Sequence, residues 1–221
     1  MSKIFPAATV VLVRDGESGL EVLMLRRSTA VSFARGSWVF PGGRIDKEDY
    51  SLDLDDIESA ARRGAARETQ EEANLTINEQ SMVYFAHWTT PPSSPKRFAT
   101  WFFISDVTGA GHHDVIVDGS EIVEHRWYTP QQALADRQAK LIDMMPPTFM
   151  TLEELLDCQS AAEAVSMAGN VSASEKLPQF SKSGAGIAMA HADHQPTNEG
   201  VSGAGDNISL IDEAWRGELL S

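Results

Sequence analysis

Two apolar runs near the N-terminus place the strongest constraint on the fold. AATVVLV (7–13) ends at the turn-like sequence RDGESG, and LEVLMLRR (20–27) then resumes the apolar pattern. Short β-branched runs that are separated by Gly- and Asp-containing breaks predict a β-hairpin. The apolar segment SWVFPGGRID (37–46) predicts a further strand, which Pro41 and two glycines end. The N-terminal part of the chain is therefore predicted to build a sheet.

The pattern changes at about Asp55, where DDIESAARRGAARETQEEANL begins, a segment rich in Ala, Glu and Arg. This composition predicts a helix, and acidic residues at its start interact favourably with the helix dipole. Gly64 lies inside this segment, and a glycine costs a helix up to ~1 kcal/mol relative to alanine. We therefore expect another part of the chain to pack closely against the helix at Gly64.

Strands and helices continue to alternate further along the chain. Segments 82–90 and 97–107 predict two strands, and 121–130 predicts a strand that leads into a helix near QQALADRQAKL. Segment 146–167 opens with prolines and shows helical periodicity, which predicts a single helix. Together these elements predict an α/β body with a mixed β-sheet and flanking helices.

The composition shifts after about Gly169 to Gly, Ala, Ser and His. We expect one domain over residues 1–168 and a loosely packed or partly extended C-terminal extension over 169–221. Within this extension, GIAMAHADH is a candidate edge strand.

The composition also limits the function. The chain has 221 residues, 42% of them hydrophobic, and a formal net charge of −14. This charge argues against a nucleic-acid groove, although a bound metal ion allows a small phosphorylated ligand. A single cysteine excludes an internal disulfide and suits a reducing compartment. No signal peptide is recognisable, and no stretch approaches the ~18 consecutive apolar residues of a membrane span. The expected location is the cytoplasm.

Three glutamates in RETQEEANL (67–75) are the most informative polar residues. Glu68, Glu71 and Glu72 are spaced by three and four residues and therefore share one helical face. Their carboxylates are hard oxygen ligands that suit Mg²⁺ or Mn²⁺, and a Gly43 carbonyl can approach the same ion because no side chain blocks it. The alternative is a solvated acidic face, but the Gly-Gly turn upstream favours a metal site.

These residues resemble the Nudix box, whose second half reads R-E-U-x-E-E-x-G-U, where U is apolar. The matching residues, in order, are Gly43, Arg67, Glu68, Glu71, Glu72 and Leu75. Arg67 follows Gly43 at a greater distance than in the family pattern, which implies an insertion. Thr69 stands at an apolar position, and Asn74 stands where the pattern has glycine.

The resemblance implies an α/β/α sandwich and metal-dependent hydrolysis of a diphosphate linked to another group. It implies that the three glutamates hold one or more divalent ions, that Glu68 also serves as the base, and that Arg67 orients Glu68. The early glutamate of the box is left open between Asp49 and Glu58. A glutamate outside the box often completes such sites, and here Glu121 and Glu124 are both open choices, as metal ligands or as surface charges.

A second resemblance concerns the substrate. Segment 23–43 is similar to the element that precedes the box in coenzyme A-cleaving Nudix hydrolases, although Ser32 replaces its second arginine. The residues that match are Leu23, Arg27, Ser28, Gly36, Phe40, Pro41, Gly42 and Gly43. It implies cleavage of coenzyme A or acyl-coenzyme A into phosphopantetheine and adenosine 3′,5′-bisphosphate. Arg27, Ser28 and Arg97 are the candidate substrate-binding residues.

Two other functions stay open. One is a Nudix diphosphatase acting on ADP-ribose, NADH or another dinucleotide, and the other is a Nudix module that binds a nucleotide without cleaving it. The resemblance also makes a homodimer an option. Trp88 and Trp101 could stack on adenine but are expected in the core, and Cys158 is expected to pack within a helix. HHD (112–114) and HADH (191–194) lack further suitably spaced ligands and are not predicted to bind metal.

Overall fold

The computed structural model describes residues 3–31, 33–50, 56–90, 94, 96–109 and 114–170, and the backbone of 174–176, 179–183 and 186–190. The predicted hairpin is confirmed: β1 (Ile4–Gly16) and β2 (Gly19–Arg27) pair antiparallel. The elements that follow are β3 (Trp38–Val39), β4 (Gly42–Arg44), α1 (Ile57–Ala73), β5 (Val83–Thr89), β6 (Arg97–Asp106), β7 (Ile122–Tyr128), α2 (Pro130–Gln138), α3 (Pro146–Glu154), α4 (Ala161–Asn170), β8 (Ser174–Lys176), β9 (Gln179–Ser183) and β10 (Gly186–Ala190).

Strand β1 organises the main sheet, whose strand order is β3-β2-β1-β6-β5-β8. One edge of β1 pairs in parallel with β6 over Ile4–Val13. Its other edge is shared, because β2 pairs with residues 13–16 and β4 pairs with residues 7–9. Beyond Val22, the edge of β2 that faces β1 pairs with β3 instead, and the opposite edge of β2 pairs with β7. The segment from β3 to β4 therefore lies in a fork between β1 and β2.

Both faces of this sheet are covered by helices. Val10 and Leu12 of β1 are fully buried in the cluster formed with α1, whereas Val11 and Val13 are fully buried in the cluster formed with α2, α3 and α4. Successive residues of a strand point to opposite faces, so a strand covered on both sides is apolar at every position. The predicted α/β/α sandwich with a mixed β-sheet is confirmed.

Helix α1 begins and ends as its sequence indicates. Asp56 caps its first turn by accepting a hydrogen bond from the Ser59 N–H at 3.1 Å. Asn74 ends it in the left-handed conformation with φ of 55°, which asparagine tolerates better than most residues. A Cβ added to Gly64 would lie 3.1 Å from Asp49 Oδ2. The close packing expected at Gly64 is therefore present, and its partner is Asp49.

The single helix predicted over 146–167 is wrong. Helix α3 ends at Glu154, and α4 begins only at Ala161. The break coincides with a cap supplied from elsewhere, because Asp15 in the β1–β2 hairpin accepts a hydrogen bond from the Ala161 N–H at 2.7 Å. Cys158 therefore lies in the connection between two helices rather than within one, where it is partly buried against the core.

The C-terminal extension contributes to the sheet in a different way from the prediction. Strand β8 pairs in parallel with β5 at the edge of the main sheet. The candidate strand in GIAMAHADH is present as β10, but among the described residues it pairs with β9 in a separate two-stranded sheet and does not join the edge of the main sheet. HADH (191–194) lies outside the described residues, as do both histidines of HHD. Among the described helices, none is long and apolar enough to cross a membrane.

The fork predicts a strong requirement for glycine at position 42. Gly42 has φ of +154°, and an added Cβ would collide with backbone atoms of Ala8 and Thr9. Gly109 also has a positive φ, of +73°, but an added Cβ there would meet nothing within 4 Å. Overpacking typically costs about 1–3 kcal/mol. We therefore expect the loss in the free energy of unfolding to be larger for Gly42→Ala than for Gly109→Ala, by about this amount. Urea denaturation of both variants measures the difference, and equal losses would contradict the fork geometry.

Candidate active site

The fork places Gly42 and Gly43 directly against α1. The Gly42 N–H donates a hydrogen bond to Glu72 Oε2 at 2.9 Å. A Cβ on Gly43 would lie 2.5 Å from the carboxyl carbon of Glu68, so no side chain fits at position 43 without moving Glu68. Glu72 is only 5% exposed. The two glycines thus allow two glutamates of the helix to approach the end of a strand.

Arg67 connects the acidic side chains around it. Its guanidinium donates to both carboxylate oxygens of Asp49, at 3.1 and 2.9 Å, and to the Arg44 carbonyl at 3.0 Å. It also donates to Glu68 at 3.0 Å and to Glu71 at 3.2 Å. These interactions raise the pKa of Arg67, chiefly through the hydrogen bond to Asp49. Arg67 is therefore a fixed cation whose position determines that of Glu68.

Asp49, and not Glu58, is the acidic residue that the fold brings to Arg67. Asp49 is 4% exposed and also accepts a hydrogen bond from the Asp46 N–H at 2.8 Å. Glu58 instead pairs with Arg62 at 2.7 Å near the start of α1, and its side chain is 45% exposed. The insertion in the box therefore leaves an aspartate beside Arg67. The 3₁₀ turn Lys47–Asp49, which Asp46 caps, positions it.

The structure also distinguishes Glu121 from Glu124. Arg27 lies between the acidic residues: it forms an ion pair with Glu121, and its Nη1 lies 3.9 Å from Glu72 Oε1. Glu124 instead pairs with Arg26 at 2.7 Å, with both side chains substantially exposed. The loop that carries Glu121 is held by Asp118, which accepts hydrogen bonds from the N–H groups of residues 120–122. Glu121 thus faces the glutamates of α1.

The electrostatics of the site favour a bound cation. Burial raises the pKa of Glu72 to about 8, and neighbouring Glu68 and Glu121 add to this rise, while the Gly42 N–H and Arg27 oppose it. Burial also raises the pKa of Glu68, and Arg67 opposes that shift. Carboxylates crowded together away from water destabilise one another, so a divalent cation among them would relieve the repulsion.

The residues suit Mg²⁺ or Mn²⁺ in their chemistry, since both ions prefer oxygen ligands. Within the described part of the chain, however, no group of three acidic, histidine or cysteine side chains is arranged to hold a metal ion. Arg67 contacts Glu68 and Glu71, while Arg27 and the Gly42 N–H contact Glu72. The cations of two arginines therefore compensate the carboxylates in this arrangement.

The acidic cluster opens into a cleft of about 920 Å³. One side of the cleft is formed by the sheet, to which β6 contributes the alternate residues Phe98, Thr100 and Phe102, and β1 and the end of β5 contribute residues 7–9 and 88–90. Glu68, Glu121 and Arg27 lie at one end, together with Gly42 and Gly43. The remaining wall is mixed: it includes the apolar residues Phe33, Trp88, Phe98, Phe102, Met145 and Pro146, and the charged residues Arg35, Arg44, Asp46 and Lys96. A cleft of this size and mixed character suits a small-molecule ligand with an anionic part.

The three candidate substrate-binding residues differ in their position relative to the cleft. Arg27 lines the cleft, whereas Arg97 and Ser28 are not among the described residues that line it. Arg97 turns away and donates to the Thr90 carbonyl at 2.9 Å, since the alternation of β6 turns Phe98 to the cleft instead. The Ser28 hydroxyl accepts from the Ala30 N–H at 3.2 Å. Lys96, which the sequence did not single out, lines the cleft in place of Arg97.

The two tryptophans lie on opposite faces of the sheet. Trp88 is buried in the cluster beneath α2–α4 and borders the cleft. Trp101 packs against Tyr84 and Phe103 on the side of α1, with ring centroids 4.7 and 6.5 Å apart. Trp101 is not among the described residues that line the cleft.

The fold and the site together define a hydrolase-like α/β/α sandwich with an acidic cleft. Comparison with known proteins identifies the family of this chain. A family model described as the NUDIX domain matches residues 3–146, so the chain belongs to the Nudix family. A solved structure of a NUDIX hydrolase from Alicyclobacillus acidocaldarius superposes with a TM-score of 0.65 at 25% identity, covering 75% of this chain and 97% of that one. A MutT protein from Methanosarcina mazei gives a TM-score of 0.51 at 22% identity, covering 71% and 94%, and supports the fold alone.

Two curated relatives match this chain over only part of their own length. Putative nudix hydrolase 7 of Caenorhabditis elegans is 26% identical over 180 residues, which cover 67% of this chain and 59% of that protein. Acyl-coenzyme A diphosphatase NUDT19 of Xenopus laevis is 23% identical over 64% of this chain and 61% of its own length. The chain thus spans about three fifths of the curated relatives it matches. The predicted Nudix family is confirmed.

The contacts of Arg67 predict that Asp49 and Glu58 differ in their contribution to stability. We expect Asp49→Asn to lower the free energy of unfolding by about 1–3 kcal/mol, because an amide cannot accept both guanidinium hydrogen bonds and the site is buried. Glu58→Gln removes only a partly exposed helix pair and should cost less than about 0.5 kcal/mol. Urea denaturation measures both values. A larger loss for Glu58→Gln would show that the Asp49–Arg67 pair does not support the site.

Proposed function

We propose that this protein is a metal-dependent diphosphatase that hydrolyses the diphosphate linkage of a nucleoside diphosphate derivative. The observation that carries the proposal is a pair of carboxylates held beside Gly42 and Gly43: Glu72, which is buried, and Glu68, which is partly buried and lines the cleft. A mutually repelling pair of this kind, largely removed from water, lowers stability unless it serves a ligand. Membership of the Nudix family agrees with this chemistry.

The proposed metal-binding residues are Glu68, Glu71 and Glu72 with the Gly43 carbonyl. Their oxygens fit Mg²⁺ or Mn²⁺, and the raised pKa values of Glu68 and Glu72 mark the two places where positive charge is most needed. A bound divalent ion would neutralise charge on the phosphate oxygens and favour attack by water. Glu121, next to Arg27, is the proposed further acidic residue of this site.

The chain's own residues then account for proton transfer and orientation. Glu68 accepts a proton from water, whose oxygen forms a bond to one phosphorus while the bond from that phosphorus to the bridging oxygen breaks. The burial that raises the pKa of Glu68 makes it a stronger base. Arg67 holds Glu68 in place and is itself held by Asp49. Arg27 meets a phosphate oxygen from the wall of the cleft.

Coenzyme A or an acyl-coenzyme A is the proposed substrate. Segment 23–43 resembles the coenzyme A-cleaving hydrolases, and one relative is named an acyl-coenzyme A diphosphatase. The apolar residues of the cleft wall offer a surface for the part of the substrate that does not react. ADP-ribose, NADH or another dinucleotide is the alternative, because Ser32 replaces the second arginine of that motif. A cytoplasmic location and a homodimer remain predictions.

Product analysis by mass spectrometry tests this function. The purified protein is incubated with Mg²⁺ or Mn²⁺ and, in parallel, with coenzyme A, acetyl-coenzyme A, ADP-ribose and NADH, with a chelator as control. We expect metal-dependent release of adenosine 3′,5′-bisphosphate from the two coenzyme A substrates. Cleavage of ADP-ribose or NADH alone would retain the chemistry and replace the substrate. Nucleotide binding without any product would instead support a module that does not cleave.

Substitution of Glu68 and Glu72 should separate activity from stability. We expect Glu68→Gln and Glu72→Gln to reduce kcat by about 10²–10⁴-fold, because each removes the charge of a proposed metal-binding carboxylate. Glu124→Gln, in an exposed ion pair, serves as the matched control and should retain wild-type kcat.

The stability of the metal-free protein gives a second readout. The raised pKa of Glu72 means that its contribution to folding is present below its normal pKa and is lost as the pH rises to about 8. At pH 8 without metal, Glu72→Gln should therefore unfold at a temperature no lower than the wild type. A folded Glu72→Gln variant with full activity would remove Glu72 from the site.

A further inference from the structure

A group of five cationic and aromatic residues lies beyond the acidic cluster, and three of them, Arg44, Lys96 and Phe98, line the cleft. Phe5 of β1 and Phe98 of β6 are register partners, and their ring centroids lie 6.2 Å apart. Lys3 and Arg44 lie over the Phe5 ring, at 5.0 and 4.5 Å from its centroid, and Lys96 lies 5.4 Å from that of Phe98. We call these five residues the basic–aromatic strip. It places three positive charges on two adjoining rings.

The cations of the strip differ in their partners from six arginines elsewhere in the protein. Arginines 14, 26, 27, 62, 67 and 126 each form an ion pair with a carboxylate. Among the residues that the structure describes, no carboxylate lies within 4.0 Å of the cationic groups of Lys3, Arg44 or Lys96. In a chain of net charge −14, such a concentration of uncompensated positive charge is unexpected for a solvated surface. It is the charge pattern of an anion-binding surface.

The strip begins where the acidic cluster ends. Gly43 and Arg44 are consecutive in β4, so they face opposite sides of the sheet: Gly43 faces Glu68, and Arg44 is paired with Ala7 on the face that carries Phe5. Arg44, Lys96 and Phe98 line the same cleft as Glu68. Because residues from both faces of β4 line this one cleft, a ligand whose diphosphate lies at Glu68 can extend over Arg44, Lys96 and Phe98.

We propose that the strip binds a phosphomonoester of the substrate, separate from the diphosphate that is cleaved. This inference rests on the proposed function and narrows its substrate class to nucleotides that carry a third phosphate group. Such a group bears a charge of about −1.5 to −2 at neutral pH and accepts several charge-assisted hydrogen bonds. The rings support the long side chains of Lys3, Arg44 and Lys96, so that less rotamer freedom is lost when they bind.

Coenzyme A and 3′-dephospho-coenzyme A form a matched pair of substrates that differ only in this group. The measured quantity is the preference, the ratio of kcat/KM for coenzyme A to that for 3′-dephospho-coenzyme A. We expect the wild type to prefer coenzyme A and the preference to fall about ten-fold in Lys96→Met and in Arg44→Met, since each loses one charge-assisted contact. Lys96→Arg should keep the preference. Lys140→Met removes an exposed charge outside the cleft and should also keep it.

A binding experiment tests the strip independently of turnover. Isothermal titration of adenosine 3′,5′-bisphosphate and AMP into the wild type should show tighter binding of the bisphosphate, and Lys96→Met and Arg44→Met should abolish that difference. These titrations remain decisive if no substrate is hydrolysed and the proposed function fails. Equal binding of the two nucleotides, or an undiminished difference in the variants, would overturn the proposal. Binding of inorganic phosphate as tightly as the bisphosphate would also overturn it, because the strip would then recognise a free anion only.

Discussion

The divided edge of β1 is the constraint on which the rest of this structure depends. Because β1 pairs with β2 at one end and with β4 at the other, the short segment between β3 and β4 must pass through the fork. Pro41 anchors it, since its carbonyl accepts hydrogen bonds from the Val10 N–H at 3.0 Å and the Thr9 hydroxyl at 2.6 Å. The peptide N–H of Gly42 is then fixed in the direction of α1. The position of Glu72 follows from this backbone geometry.

The compensation of the carboxylates by arginines is the second constraint on the site. Two arginines of different origin share the compensation: Arg67 comes from the helix itself, and Arg27 comes from the end of β2. Arg67 is anchored by a buried aspartate, whereas the partners of Arg27 among the described residues are two glutamates and the Phe33 carbonyl. Arg67 is thus part of the framework, whereas an incoming metal ion would compete with Arg27 for the glutamates. The acidic cluster therefore contains one arginine that is held in place, Arg67, and one that a ligand can displace, Arg27.

The sequence predicts what depends on local patterns and misses what depends on distant contacts. Strand and helix positions follow from apolar periodicity, and the glutamates of α1 follow from their spacing. The break between α3 and α4 was missed because one of its caps, Asp15, lies in the first hairpin. The choice between Asp49 and Glu58 could not be made because the insertion hides which residue returns to Arg67. Lys96 was missed in favour of Arg97 because the residue that faces the cleft depends on how β6 is oriented against β1.

The parallel pairing of β1 with β6 also has a consequence for how the protein folds. Ile4 pairs with Arg97, a separation of 97 − 4 = 93 residues, and Asp15 caps a helix 146 residues later in the chain. Contacts this distant in sequence slow folding, because the entropy of closing a long loop is lost before the contact is gained. On the ribosome, the apolar strand β1 emerges well before β6, its central partner. During that interval its exposed β-branched edge is a target for chaperones and for aggregation.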